Sequence, residues 1–141
     1  MKRTASAHWS GMLKEGSGTL SAPGGVLKNT PYSFATRFGD QPGTNPEELI
    51  AAAHAGCFSM AFAAALGGAG FAPQSINTDA ALTLDKVGDG FAITAIHLTV
   101  AASVPGIDEA KFQTIAQGAK ANCPVSKVLN AKITMDAKLT R

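Results

Sequence analysis

Charge is scarce in this sequence. Twelve basic and ten acidic residues among 141 leave a formal charge of +2. The basic ones are scattered, so the chain lacks the concentrated positive surface that nucleic acid or an anionic membrane would favour. Cysteine is scarcer still, with two, Cys57 and Cys123. With only isolated histidines beside them, they lack any tight metal-ligand spacing. An apolar leader is missing as well: Met1-Lys2-Arg3 has the charge of a signal peptide's first region, but Thr4 to Gly11 supply no apolar continuation. Export by that route is not expected, and the cytosol is. There a disulfide between two cysteines is more often transient and chemical than structural, because cellular thiols keep resting cysteines reduced. The chain is long enough for one core and shows no repeat, linker or low-complexity tail, so residues 1–141 read as a single domain.

What is present is a regular alternation of patterns. Ala5, Ala7 and Trp9 alternate with polar residues, and Tyr32, Phe34, Thr36 and Phe38 alternate against Ser33, Ala35 and Arg37. Both stretches read as strands, with Arg37 directed away from the aromatic face and Gly- and Pro-rich turns between them. Asn45-Pro46-Glu47-Glu48 then makes a helix start: Asn45 caps, Pro46 suits the first helical position and Glu48 closes a capping box. The helix is expected to run to about Leu66, where Gly67-Gly68 and Gly70 end it. Ile76 to Leu84 and Phe91 to Ala101 alternate on either side of Gly88-Asp89-Gly90, a long hairpin. Phe112, Ile115, Ala116 and Ala119 recur at helical spacing behind Asp108. Pro124 opens another short helix through Leu129, and Ile133, Met135, Ala137 and Leu139 alternate in a last strand.

From Leu49 to Leu66 no residue carries a formal charge. A membrane span is not the reading, because Ala dominates the stretch and His54, Gly56, Cys57 and Ser59 interrupt it, which weakens its transfer into lipid. A soluble helix buried on nearly every side fits better, and in so small a chain a second subunit would supply part of the cover.

Four residue types here carry chemistry. At about 100° per residue, Glu47 and His54 lie within about 20° of one line on the helix, Cys57 is about 80° from Glu47, and Glu48 falls opposite Cys57. Glu47 is therefore the carboxylate with a site role, unless both glutamates simply favour the positive end of the helix dipole. Glu47 and Cys57 are nevertheless roughly 15 Å apart along the axis at about 1.5 Å per residue. If they cooperate, either Arg37 bridges the gap or a two-fold dimer brings the partner's helix alongside. Cys57 as a nucleophile needs its thiolate, which burial disfavours, so a cation must sit nearby, and Arg37 is the candidate; its bland role is a solvated strand arginine. His54, one turn before Cys57, suits either a Cys-His pair for acyl transfer or hydrolysis, or ordinary packing on a small-residue face. A non-catalytic dimeric binding protein would need neither cysteine. Cys123 at the start of a helix is itself well placed to be anionic, so spacing leaves open which sulfur attacks first.

The segment Thr44-Asn45-Pro46-Glu47-Glu48-Leu49, followed by Ala51-Ala52-Ala53-His54-Ala55-Gly56-Cys57-Phe58-Ser59-Met60 and, downstream, Asn122-Cys123-Pro124-Val125-Ser126-Lys127, resembles the OsmC/Ohr peroxidases over essentially the whole chain. Thr36-Arg37-Phe38 is more like the OsmC branch than the Ohr branch. The resemblance implies an α+β fold with antiparallel sheets packed on a long central helix, in an intertwined homodimer with two sites at its interface. It implies reduction of organic hydroperoxides, and more weakly of hydrogen peroxide, with Cys57 attacking, Cys123 resolving through a disulfide, and Arg37 paired with Glu47 activating the first thiol. No metal, flavin or haem is implied, only an external dithiol of the lipoyl type, delivered by a lipoylated protein or another donor. Phe38, Phe58 and Met60 shape an apolar pocket for such substrates, or are ordinary core.

Overall fold

Turn chemistry cuts the N-terminal region into short strands. The computed structural model describes residues 1–140, and the chain divides into two units, Met1–Leu49 and Ile50–Arg141. In the first, β1 (Ser6–Ser10), β2 (Ser17–Ser21) and β3 (Thr30–Tyr32) form an antiparallel sheet in that order. Trp9 and Tyr32 flank the central strand with ring centroids 5.4 Å apart. Gly18 lies between them: a Cβ there would come within 2.5 Å of both the Tyr32 ring and the His8 carbonyl, so a larger residue would force the strands apart.

The stretch around Arg37 departs from its pattern. Instead of continuing as a strand, Phe34–Phe38 forms a short helix, α1. Ser33 is extended and its hydroxyl accepts the Thr36 amide, while the Thr36 side chain accepts the Ser33 amide, a reciprocal cap that starts a helix against the strand periodicity. Once helical, Phe34 and Phe38 are one turn apart and their rings meet at 4.9 Å. Arg37 does not point away from the aromatics: its guanidinium lies 5.1 Å from the centre of the Phe38 ring. The Thr36 hydroxyl also lies 2.8 Å from the Thr44 carbonyl, fixing the chain just before the next helix.

That helix, α2 (Pro46–Gly68), starts where expected and runs two residues past Leu66. Asn45 is buried and accepts the Glu48 amide at 2.8 Å. The cap thus uses the Glu48 backbone.

In the second unit, α2 buries His54, Phe58, Phe62 and Leu66, spaced four residues apart on one face. Its other faces are largely open within the chain, with Met60 77% exposed, so burial on nearly every side is not met by one chain alone. β4 (Ser75–Val87) and β5 (Gly90–Ser103) make the expected hairpin around Gly88, whose φ of +62 suits glycine, with a bulge at Thr83/Leu84. Asp108 caps α3 (Glu109–Asn122) by accepting the Lys111 amide at 2.8 Å. α4 (Pro124–Val128) follows Cys123 directly, and β6 (Lys132–Thr140) completes the sheet.

One pairing differs from the antiparallel sheets expected: β6 lies parallel to β5. The intervening α3 and α4 return the chain to the starting end of β5, as a crossover must for parallel neighbours. Alternate residues of β5, Ile96, Leu98, Val100 and Ala102, meet Phe58, Phe62 and Leu66 of α2 and Phe112 of α3 in one core. This α+β packing explains why an uncharged helix and a long alternating hairpin belong together. The helix is long and apolar enough to cross a membrane by length and composition, but its phenylalanines are spent on this core.

Candidate active site

Cys57 and Cys123, 66 positions apart, bring their sulfurs within 3.0 Å as free thiols. α2 carries Cys57 one residue before the buried Phe58, and the end of α3 carries Cys123. The core shared by these helices with β5 therefore fixes the distance. The sulfurs stand about 1 Å farther apart than a disulfide bond, so joining them requires little movement.

Their environments differ. Cys123 is wholly buried, whereas Cys57 keeps partial access to solvent. Burial pushes the Cys57 thiol up, the hydrogen bond with Cys123 adds to this, and the Val125 amide offsets it only in part. Burial pushes Cys123 up too, but hydrogen bonds from Cys57, from the Ser126 amide and hydroxyl and from the Val125 amide outweigh it and draw its pKa below the usual thiol range. The accessible sulfur is thus the one whose charge has less local stabilisation. If Cys57 is to attack as a thiolate, a cation must be brought to it.

In the first unit, Arg37 and Glu47 form a forked ion pair. The guanidinium Nη2 donates to Glu47 Oε1 at 2.7 Å, and Nε lies 3.1 and 3.2 Å from the two carboxylate oxygens. The Glu47 side chain is 14% exposed and that of Arg37 37%, so the pair is sheltered on one side and open on the other. It forms because α1 carries Arg37 in its last turn and Asn45 starts α2 just before Glu47. Arg37 also lines a cavity of about 280 Å³ with Trp9, Leu13, Tyr32, Phe34 and Phe38.

Other expectations divide. Phe58 is core, Met60 is exposed, and Phe38 lines the cavity. His54 makes no pair with a cysteine: its Nε2 lies 2.8 Å from the Ser126 hydroxyl and its Nδ1 has no hydrogen-bond partner. The Cys-His arrangement for acyl transfer is therefore not formed. Ser126 and Val125 received no role from sequence. Among the described residues, no three of His, Cys, Asp and Glu gather as metal ligands.

Comparison with known proteins gives a consistent result. Residues 39–138 match the family model described as OsmC-like protein. Peroxiredoxin OsmC of Escherichia coli (strain K12) is 59% identical over 133 residues, covering 94% of this chain and 93% of that protein. The organic hydroperoxide resistance protein of Xanthomonas axonopodis pv. citri (strain 306) is 34% identical over 113 residues, 79% of this chain and 75% of its own length. Among solved structures, an organic hydroperoxide resistance protein of Bacillus subtilis has a TM-score of 0.65 at 27% identity, covering 96% of this chain and 98% of that one. An OsmC-like protein of unknown function from Vibrio cholerae has a TM-score of 0.77 at 16% identity, covering 97% and 99%, a likeness of fold alone.

Proposed function

The chain belongs to the OsmC-like protein family, and from that premise we propose how its residues reduce a peroxide. It is a thiol peroxidase for organic hydroperoxides. The observation that carries the residue assignment is the 3.0 Å approach of two sulfurs so far apart in sequence. Cys57, the accessible one, attacks the distal peroxide oxygen as a thiolate. The O–O bond breaks, its electron pair leaves on the alkoxide, and protonation gives the alcohol and a Cys57 sulfenic acid. Cys123 then attacks the Cys57 sulfur, the S–O bond breaks, and hydroxide leaves as water once protonated. The resulting disulfide halts further oxidation up the irreversible ladder. An external dithiol, of the lipoyl type and delivered by a lipoylated protein or another donor, restores both thiols by exchange.

Arg37 and Glu47 complete the catalytic set. The pK burden on Cys57 calls for a cation, and a guanidinium held at both nitrogens by one carboxylate is a pre-oriented one, able to favour the thiolate and to donate to the peroxide oxygens as charge moves to the leaving group. The apolar cavity beside Arg37 supports an alkyl rather than a purely aqueous substrate. Residues 1–141 act as one functional domain in the cytosol, as a homodimer with its sites at the interface, and the open apolar faces of α2 support that assembly.

Mass spectrometry after one equivalent of an alkyl hydroperoxide tests the reading. Prompt loss of two hydrogens, with an intrachain cross-link between residues 57 and 123, is the expected result; unchanged thiols would remove the activity from this pair.

A further inference from the structure

The cavity beside Arg37 is built from rings. Trp9 of β1, Tyr32 of β3, and Phe34 and Phe38 of α1 line it together with Leu13 and Arg37, and its volume is about 280 Å³. The rings pair at angles: Trp9 meets Tyr32 at 5.4 Å with planes tilted by 54°, and Phe34 meets Phe38 at 4.9 Å with planes tilted by 44°. Tilted pairs offer a guest ring both faces and edges. The polar atom of the indole, its N–H, donates to the Gly11 carbonyl at 2.9 Å, so what Trp9 contributes here is apolar surface. Leu13, in the turn between β1 and β2, is an apolar lining residue that stays 61% exposed. Volume limits the guest. At about 30 Å³ for each water-sized group, 280 Å³ takes roughly nine of them. A phenyl ring with a small branched alkyl group is of that size, and a fatty-acid chain is about twice as large.

On the peroxidase reading above, Arg37 donates to the peroxide oxygens, so the carbon group bonded to them lies in the cavity that Arg37 lines. We propose that the site is selective for compact, ring-bearing hydroperoxides, and that Trp9, Leu13, Tyr32 and Phe34 are its specificity-determining residues. An aryl group gains from the surrounding rings beyond the apolar area it buries, whereas a straight chain gains from area alone. Carbons beyond the cavity's capacity stay in water and add nothing. The selectivity leaves the redox step as written: the Cys57 thiolate takes the distal oxygen, and the leaving alkoxide, once protonated, is the aryl-bearing alcohol. That alcohol occupies the same cavity until it is released.

Trp9 is the chain's single tryptophan, so its emission reports the cavity directly. The probe is cumyl alcohol, the product of cumene hydroperoxide reduction, titrated into a Cys57→Ser variant that cannot turn over. Trp9 emission should change and saturate, and the straight-chain alcohol of equal carbon number, 1-nonanol, should bind about fivefold more weakly. In the wild type, kcat/KM should be about fivefold higher for cumene hydroperoxide than for linoleic acid hydroperoxide. Leu13→Ala should lower the kcat/KM ratio of cumene hydroperoxide to hydrogen peroxide about threefold. Phe34→Leu, which keeps apolar bulk and removes a ring, should narrow the gap between cumyl alcohol and 1-nonanol. Emission that does not respond to cumyl alcohol, or a kcat/KM no lower for linoleic acid hydroperoxide than for cumene hydroperoxide, would overturn the proposal. Saturable cumyl alcohol binding beside a wild type that reduces no hydroperoxide would instead sink the peroxidase reading and leave the cavity's preference for a compact aryl guest standing.

Discussion

Arg37 grips Glu47 through two nitrogens, and that geometry decides what can replace it. A lysine carries the same charge but presents a point rather than a fork. Arg37→Lys is expected to fold normally and to lose activity by roughly tenfold or more; matching circular dichroism beside wild-type peroxidase rates would take Arg37 out of the mechanism. His54 sets a pH dependence of stability. Its folded pKa lies below the ordinary value of 6.5, so below that pH the unfolded chain binds a proton that the folded protein refuses. The His54 contribution is therefore fully present above 6.5 and is lost as pH falls from there toward the depressed folded value. Urea midpoints should decline across that window in wild type, and less so in His54→Gln; identical slopes would refute the assignment. At this scale the sequence offered Cys57, Cys123, Arg37 and Glu47 as candidates, and the structure brings the two sulfurs together and, separately, pairs Arg37 with Glu47. The His54–Ser126 contact was not legible, because 72 positions separate its partners.

Local chemistry sets where each element starts. Asn45 caps α2 through a bond to the Glu48 amide at 2.8 Å, so Asn45→Ala should destabilise the protein by about 1 kcal/mol. Chemical denaturation measures this, and no change would mean that tertiary packing alone fixes the helix start. α1 teaches the opposite lesson. The alternation of Tyr32, Phe34, Thr36 and Phe38 suits a strand, but Ser33 and Thr36 satisfy each other's backbone and favour a turn of helix. Five residues are too few for periodicity to separate the two, so a cap decides. The hairpin of β4 and β5 was legible because its alternation is long. The parallel direction of β6 was not, since alternation marks a strand without naming its neighbour.

At the scale of the whole molecule, the question is what covers α2. One face enters the core through Phe58, Phe62 and Leu66, and the rest is apolar but open, with Met60 at 77% exposure. A second copy of the chain is the economical cover, and a stable interface of that kind buries about 1,200–2,000 Å² in total. Sedimentation equilibrium should therefore find a dimer, and Met60→Lys should shift it toward monomer with loss of turnover. A wild-type monomer retaining full activity would end that view.

The sequence by itself determined which side chains are available and, through caps, turns and alternation, most helices and strands, though not β2 or α1, because those signals act over a few neighbouring residues. It also marked Cys57 and Cys123 as the candidate reactive pair by their family-like surroundings. Only the tertiary structure decided that the two sulfurs meet, which of them has hydrogen bonds for its charge, and that His54 answers to Ser126. Those are distances between segments that the core draws together, and pairing of that kind leaves no periodic trace along the chain.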